Sequence, residues 1–223
     1  MGRVLPILFN GDMVRAILDG RKTVTRRAVK YKYSNTEMKM RTDKYGTCLI
    51  EIQKDIEGET NGKYPDGRTW HRLLPYIEKE APYKKGDILY VRETWHKYTK
   101  RVGHGENCRL QEFYGYRASV VNSEDAGEKW HPSIHMPKLA ARIWLKVTDV
   151  RVERLQESTS PIKYPHGKDN TIIREGFKRT YDFIDFWNST IKKSDIGRYG
   201  WDANPWVWVI EFERCGKPEV KDA

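Results

Sequence analysis

The chain has 223 residues, 38% of them hydrophobic and 32% charged, with 8 Trp, 13 Tyr and 6 Phe. That many aromatic residues exclude an intrinsically disordered chain, and three widely spaced cysteines, Cys48, Cys108 and Cys215, exclude a disulfide framework and fit a reducing compartment. Lys and Arg number 41 against 31 Asp and Glu, a formal charge of +10 that favours polyanionic partners, nucleic acid before anionic lipid.

The N-terminal residues carry no long apolar run before Asn10, and no stretch approaches the length of a membrane span, so a cytoplasmic protein is expected. Leu5-Pro6-Ile7-Leu8-Phe9 is a short apolar run with Pro near its edge, the pattern of a first strand. Asn10 suits an N-cap and Asp12 the first turn of a helix; Met13, Ala16 and Ile17 follow at helical spacing, and Gly20 ends the helix as a left-handed C-cap. Arg21 to Arg27 is basic and β-branched, a turn into a strand. Residues 30–82 are polar, with Cys48 to Ile52 as one strand of a hairpin inside a long excursion.

Lys85-Gly86-Asp87 signals a turn before the strand Ile88 to Trp95, and Phe113 to Ala118 is a further strand. His131 to Pro137, bracketed by prolines, is an extended loop. Ala141 to Leu155 reads as one long or bent strand, with Ile143, Leu145 and Val147 in one phase and Val150 and Val152 in another. After a loop over 158–170, a helix sets Tyr181, Ile184, Asp185 and Asn188 on one face and Phe183, Phe186 and Trp187 on another. Tyr199 to Pro205 is a tight aromatic loop before the closing strand Trp206 to Glu213. About six strands with an early and a late helix predict a single α+β domain over 1–215, a small mixed β-barrel with flanking helices, insertions at about 30–82 and 96–140, and a frayed tail over 216–223.

The densest chemistry lies in Gly20 to Arg27, where Arg21, Lys22, Arg26 and Arg27 accompany Thr23 and Thr25. In a strand, Lys22 shares a face with Val24 and Arg26, and Thr23, Thr25 and Arg27 share the other. Such a group holds phosphate or polarises a carbonyl, and does covalent work if the lysine is desolvated and its pKa falls. The alternative is a solvated basic strand that binds nothing. Of the remaining residues, His104 with Cys108 and His131 with His135 complete no metal set, and no cofactor is implied. Trp206 and Trp208, alternating with Val207 and Val209, read as core or packing residues. Glu93, a carboxylate on a strand that would need a partner if buried, is either a site residue or paired to an arginine of the barrel.

Gly20-Arg21-Lys22-Thr23-Val24-Thr25-Arg26-Arg27 resembles the Gly-x-Lys-x-x-x-Arg signature of ASCH domains, PUA-like β-barrels proposed to bind RNA, through Gly20, Lys22 and Arg27. Lys85 to Val91, Val147 to Leu155 and Trp206 to Phe212 are similar to later strands of that family. Arg92-Glu93-Thr94-Trp95 and Tyr199 to Val209 are similar to its phage and prophage members. The resemblance extends to the smaller N4-acetylcytidine amidohydrolases, which use a Lys, a Thr and a Glu; it implies Lys22 as base, Thr25 as nucleophile and Glu175 as the carboxylate, with Glu93 as its rival. The implied partner is RNA or a modified nucleoside. A non-catalytic reading uses Arg21, Lys22, Arg26 and Arg27 for phosphate, and Trp95, Tyr199 and Trp201 for base stacking.

Overall fold

The computed structural model describes residues 2–31, 36–43, 46–53, 71–74, 81–104, 107–120, 129–159 and 171–218. In chain order these form β1 (Val4–Leu8), α1 (Gly11–Leu18), β2 (Val24–Ala28), β3 (Thr36–Asp43), β4 (Gly46–Gln53), β5 (His71–Leu74), β6 (Ile88–Arg92), β7 (Trp95–Val102), β8 (Arg109–Tyr116), β9 (Trp144–Arg154), α2 (Thr171–Arg174), α3 (Thr180–Ser189), α4 (Ile196–Tyr199) and β10 (Trp206–Cys215). The main sheet has the order β1-β6-β9-β10-β2, with β1 parallel to β6 and the other pairs antiparallel. Pro6 sits in β1, at an edge of the ladder, where its missing N–H leaves no gap in a central hydrogen-bond row.

The fold is α+β, as the pattern of strands and flanking helices predicts. The expected closed barrel of about six strands is instead a five-stranded ladder, and no pairing joins its edges β1 and β2 among the described residues. The two expected insertions hold strands of their own: β3-β4-β5 form a second sheet and β7-β8 a two-stranded ribbon. No helix among the described residues is long and apolar enough to cross a membrane.

Alternation along β10 explains how the sheet carries helices on both faces. Trp208, Ile210 and Phe212 point to one side and pack with Met13, Val14 and Ile17 of α1. Val207 and Val209 point to the other and pack with Ile172 of α2 and with Phe183 and Trp187 of α3. Val207, Val209 and Ile210 are fully buried, and each such burial stabilises by roughly 1.5–3 kcal/mol. The phase change read in β9 has a cause. Glu211 pairs with Asp149 but Phe212 pairs with Val147, so Thr148 is an extra residue, a bulge that puts Leu145 and Val147 on the same face as Val150 and Val152.

Candidate active site beside the edge strand

The site begins at the end of α1. The Asn10 side chain accepts from the Met13 amide at 2.9 Å and caps the helix. At the other end Gly20 has φ of +75°, the left-handed cap expected. The amides of Arg21 and Lys22 both donate to Ala16 O, so the chain turns sharply and the Lys22 side chain enters the interior.

There the Lys22 ammonium donates to three oxygens, Val24 O, Glu175 O and Glu175 Oε2, each at 2.8 Å. The side chains of this pair are 0% and 2% exposed. Gly176, with φ of +96°, allows the approach: a Cβ there would lie 2.9 Å from the Ala16 Cβ and 3.5 Å from the Lys22 Cδ. The other oxygen, Glu175 Oε1, accepts from Arg26 Nη1 at 2.9 Å. Arg26 also lies 3.8 Å from Glu153 Oε2, and its Nε and Nη2 have no hydrogen-bond partner among the described residues.

The network continues across the sheet because Arg26 of β2, Val209 of β10 and Arg151 of β9 stand in register. Arg151 donates to Glu153, Asp149 and Glu211, and Arg174 donates to Glu211 and to Thr23 Oγ1. Four cations therefore face four carboxylates (Lys22, Arg26, Arg151 and Arg174 against Glu175, Glu153, Asp149 and Glu211). The basic run in the sequence is neutralised where it is buried. Burial pushes the Lys22 ammonium below its ordinary 10.5, and the attraction of Glu175 does not cancel that effect. Burial also works against the Arg151 charge and against ionised Glu211; in both cases the hydrogen bonds outweigh it, raising Arg151 and lowering Glu211.

A cavity of about 260 Å³ opens beside β2. Thr25, Arg26, Arg27 and Ala28 form its β2 wall, Glu175 its inner corner, Met13 one side, and Phe183, Phe186 and Trp187 of α3 the apolar side. β2 is an edge strand whose odd-numbered residues bond to β10: Phe212 N donates to Thr23 O, and Val29 N to Trp206 O. By alternation the N–H and C=O of Arg26 and Ala28 point away from β10, along the wall that lines the cavity. A planar heterocycle is recognised by donors and acceptors of this kind.

Of the residues expected at the site, Lys22 and Glu175 meet directly, and Thr25, Arg26 and Arg27 line the same cavity as Glu175. The Lys22 donors are spent on other oxygens rather than on Thr25. Arg21 lies apart, bonded to Asp19 and Gly176 O. Glu93 is buried in a two-point pair with Arg142 at 2.8 and 2.9 Å, the structural alternative of the two weighed for it. Trp95 packs between Tyr114 and His131, the Tyr199 hydroxyl accepts from the Tyr31 amide, and Trp201 meets Phe183 edge-on. Those three rings do not line the cavity; its aromatic wall is Phe183, Phe186 and Trp187. The helical spacing of that trio groups them on one face, which reads equally as core. Glu153 is a buried glutamate near the end of β9, flanked by the half-buried Val152 and Arg154. No protein-family model, no curated protein and no solved structure matches the chain.

Proposed function

We propose that this chain is a PUA-like protein of the ASCH kind that holds a modified nucleoside, free or within RNA, in the cavity beside β2 and hydrolyses an N4-acylated cytidine there. The observation that carries the reading is the 2.8 Å Lys22–Glu175 pair, fully enclosed and formed by residues 153 apart in the chain, next to a cavity that Thr25 lines. A buried lysine with a lowered pKa beside a carboxylate and a hydroxyl is the equipment of an activated nucleophile. A volume near 260 Å³, just under the roughly 300 Å³ where drug-sized pockets begin, suits one heterocycle.

In this reaction Glu175 takes a proton from Lys22 across their hydrogen bond. The neutral amine turns from Glu175 to Thr25 and accepts the hydroxyl proton as Oγ1 attacks the acyl carbon. Arg27 stabilises the oxyanion. Collapse breaks the C–N bond, and Glu175 returns its proton to the departing N4 amine of cytidine. Water then hydrolyses the acyl-threonine, releasing the carboxylic acid and restoring the hydroxyl. The test is incubation with N4-acetylcytidine and chromatographic detection of cytidine. The expected result is turnover that falls about a thousandfold or more in Lys22→Ala and in Thr25→Val; wild-type release no faster than that of Lys22→Ala rejects the hydrolase.

The second reading is recognition without turnover, and one observation favours it: all three Lys22 donors are occupied by oxygens other than that of Thr25. Its outcome in the same experiment is saturable nucleoside binding with no cytidine formed.

A further inference from the structure

The ribbon β7-β8 stands apart from the cavity and carries its own organised surface. In its register His96 faces Gly115, Tyr98 faces Phe113, Lys100 faces Gln111 and Val102 faces Arg109, so these pairs form one face, spaced about 6.8 Å per pair along the strand. On that face the rings make a ladder. Trp130 lies 4.6 Å from His96, His96 is stacked on Tyr98 at 5.3 Å and 19°, and Tyr98 on Phe113 at 5.7 Å and 25°. Gly115 is what lets the ladder form, because a Cβ there would coincide with the His96 imidazole. Toward the tip the rings give way to Lys100 and Arg109, and Arg117 sits 6.0 Å from the Trp130 ring at the base.

The outer part of this surface is exposed to solvent, while His96 at its inner end is buried and Phe113 half-buried. Tyr98 is 39% exposed, and residues 97–102 and 107–112 are exposed throughout. The two strands carry four cations, Lys97, Lys100, Arg101 and Arg109, against one carboxylate, Glu112. A two-stranded ribbon is marginal by itself, and among the described residues the base of this one is anchored where Trp95, Tyr114 and Tyr116 pack on the cluster around Trp144 and Met136. Interface cores that receive protein partners are depleted of charge, whereas two nearly parallel rings, Tyr98 exposed and Phe113 half-buried, flanked by cations suit unstacked bases on a phosphate chain. A duplex keeps its bases stacked inside and presents no ring faces to the ladder.

We infer that the Tyr98–Phe113 face of the ribbon binds single-stranded nucleic acid, with bases stacking on the two rings and phosphates meeting Lys100 and Arg109. The inference deepens the RNA reading by naming a surface for the strand, and it does not depend on chemistry in the cavity. The experiment is fluorescence anisotropy with labelled oligouridine and oligothymidine of about 12 nucleotides and a duplex of the same length. The expected result is binding of one or both single strands with Kd below about 10 µM at low salt and weaker duplex binding. Tyr98→Ala loses about tenfold in affinity while Tyr98→Phe stays within about twofold of wild type, and Arg109→Ala lowers the salt slope by about 1. Circular dichroism of each variant shows that the ribbon's loss, if any, is not loss of fold. N4-acetylcytidine release by Tyr98→Ala at the wild-type rate separates failure of the ribbon from failure of the cavity. The inference is overturned if no single strand binds, if the duplex binds as tightly, or if Tyr98→Ala and Phe113→Ala both match wild type.

Discussion

Lys22 sits where its environment pulls its charge two ways. Enclosure disfavours the ammonium and Glu175 favours it, and enclosure prevails, so the folded pKa lies below the 10.5 of an ordinary lysine. In the unfolded chain the same group titrates near 10.5. Between the two values the unfolded chain binds more protons than the folded one, and stability rises with pH. Below the folded value the penalty is constant. The difference in urea midpoint between wild type and Lys22→Met reads Lys22 together with its bonded partner Glu175, since the titrations of groups away from this pair are common to both. That difference should move in favour of wild type as pH climbs toward 10.5 and level off there; a difference that stays flat or falls removes the basis for a lysine ready to act as a base.

At the scale of elements, two glycines frame the site and differ in what surrounds them. Gly20 and Gly176 both have positive φ, but a Cβ on Gly20 meets nothing within 4 Å, whereas on Gly176 it meets Ala16 and Lys22. Gly20→Ala should therefore cost only the left-handed strain, roughly 1–2 kcal/mol. Gly176→Ala should cost more and also displace Glu175 from Lys22, so its catalytic loss should exceed that of Gly20→Ala at equal folded fraction. Denaturation midpoints and turnover of the two variants decide this; equal losses mean that the turn at Gly176 does not hold the pair. Gly20 was legible in the sequence because a helix end, its cap and its glycine are neighbours. So were β10, by its apolar run, and the change of phase in β9, which the bulge at Thr148 explains. Glu175 was reached only through the resemblance, because nothing within Arg174-Glu175-Gly176 indicates a lysine 153 residues away. The open edge between β1 and β2 was illegible for a similar reason: closure depends on long-range pairing, which a local pattern does not encode. Residues 96–102 of β7 were not read as a strand, Trp95 was assigned to the strand before it, and β8 was read over Phe113 to Ala118 rather than Arg109 to Tyr116, since an exposed ribbon has no buried face to impose alternation.

Over the whole molecule, the excess of +10 is distributed unevenly, and the distribution predicts two kinds of binding. The buried network matches each cation with a carboxylate, and a nucleoside without phosphate carries no net charge for Arg27 and Lys30, which also line the cavity, to attract. The ribbon holds unbalanced cations in water, where their attraction for phosphate is a matter of counterion release. Raising salt from about 50 to about 200 mM should change N4-acetylcytidine affinity by less than about twofold, because enclosed pairs are weakly screened. The same change should weaken oligonucleotide binding roughly sevenfold, as expected for about two phosphates, those met by Lys100 and Arg109, neutralised on a single strand. Calorimetry for the nucleoside and anisotropy for the oligonucleotide, in matched buffers, measure both. Parallel salt slopes would place the two ligands in one charged surface and dissolve the separation between the cavity and the cationic ribbon. Divergent slopes would mean that the insertion at about 96–140 gives the protein a second, electrostatic hold on a strand whose modified base is read elsewhere.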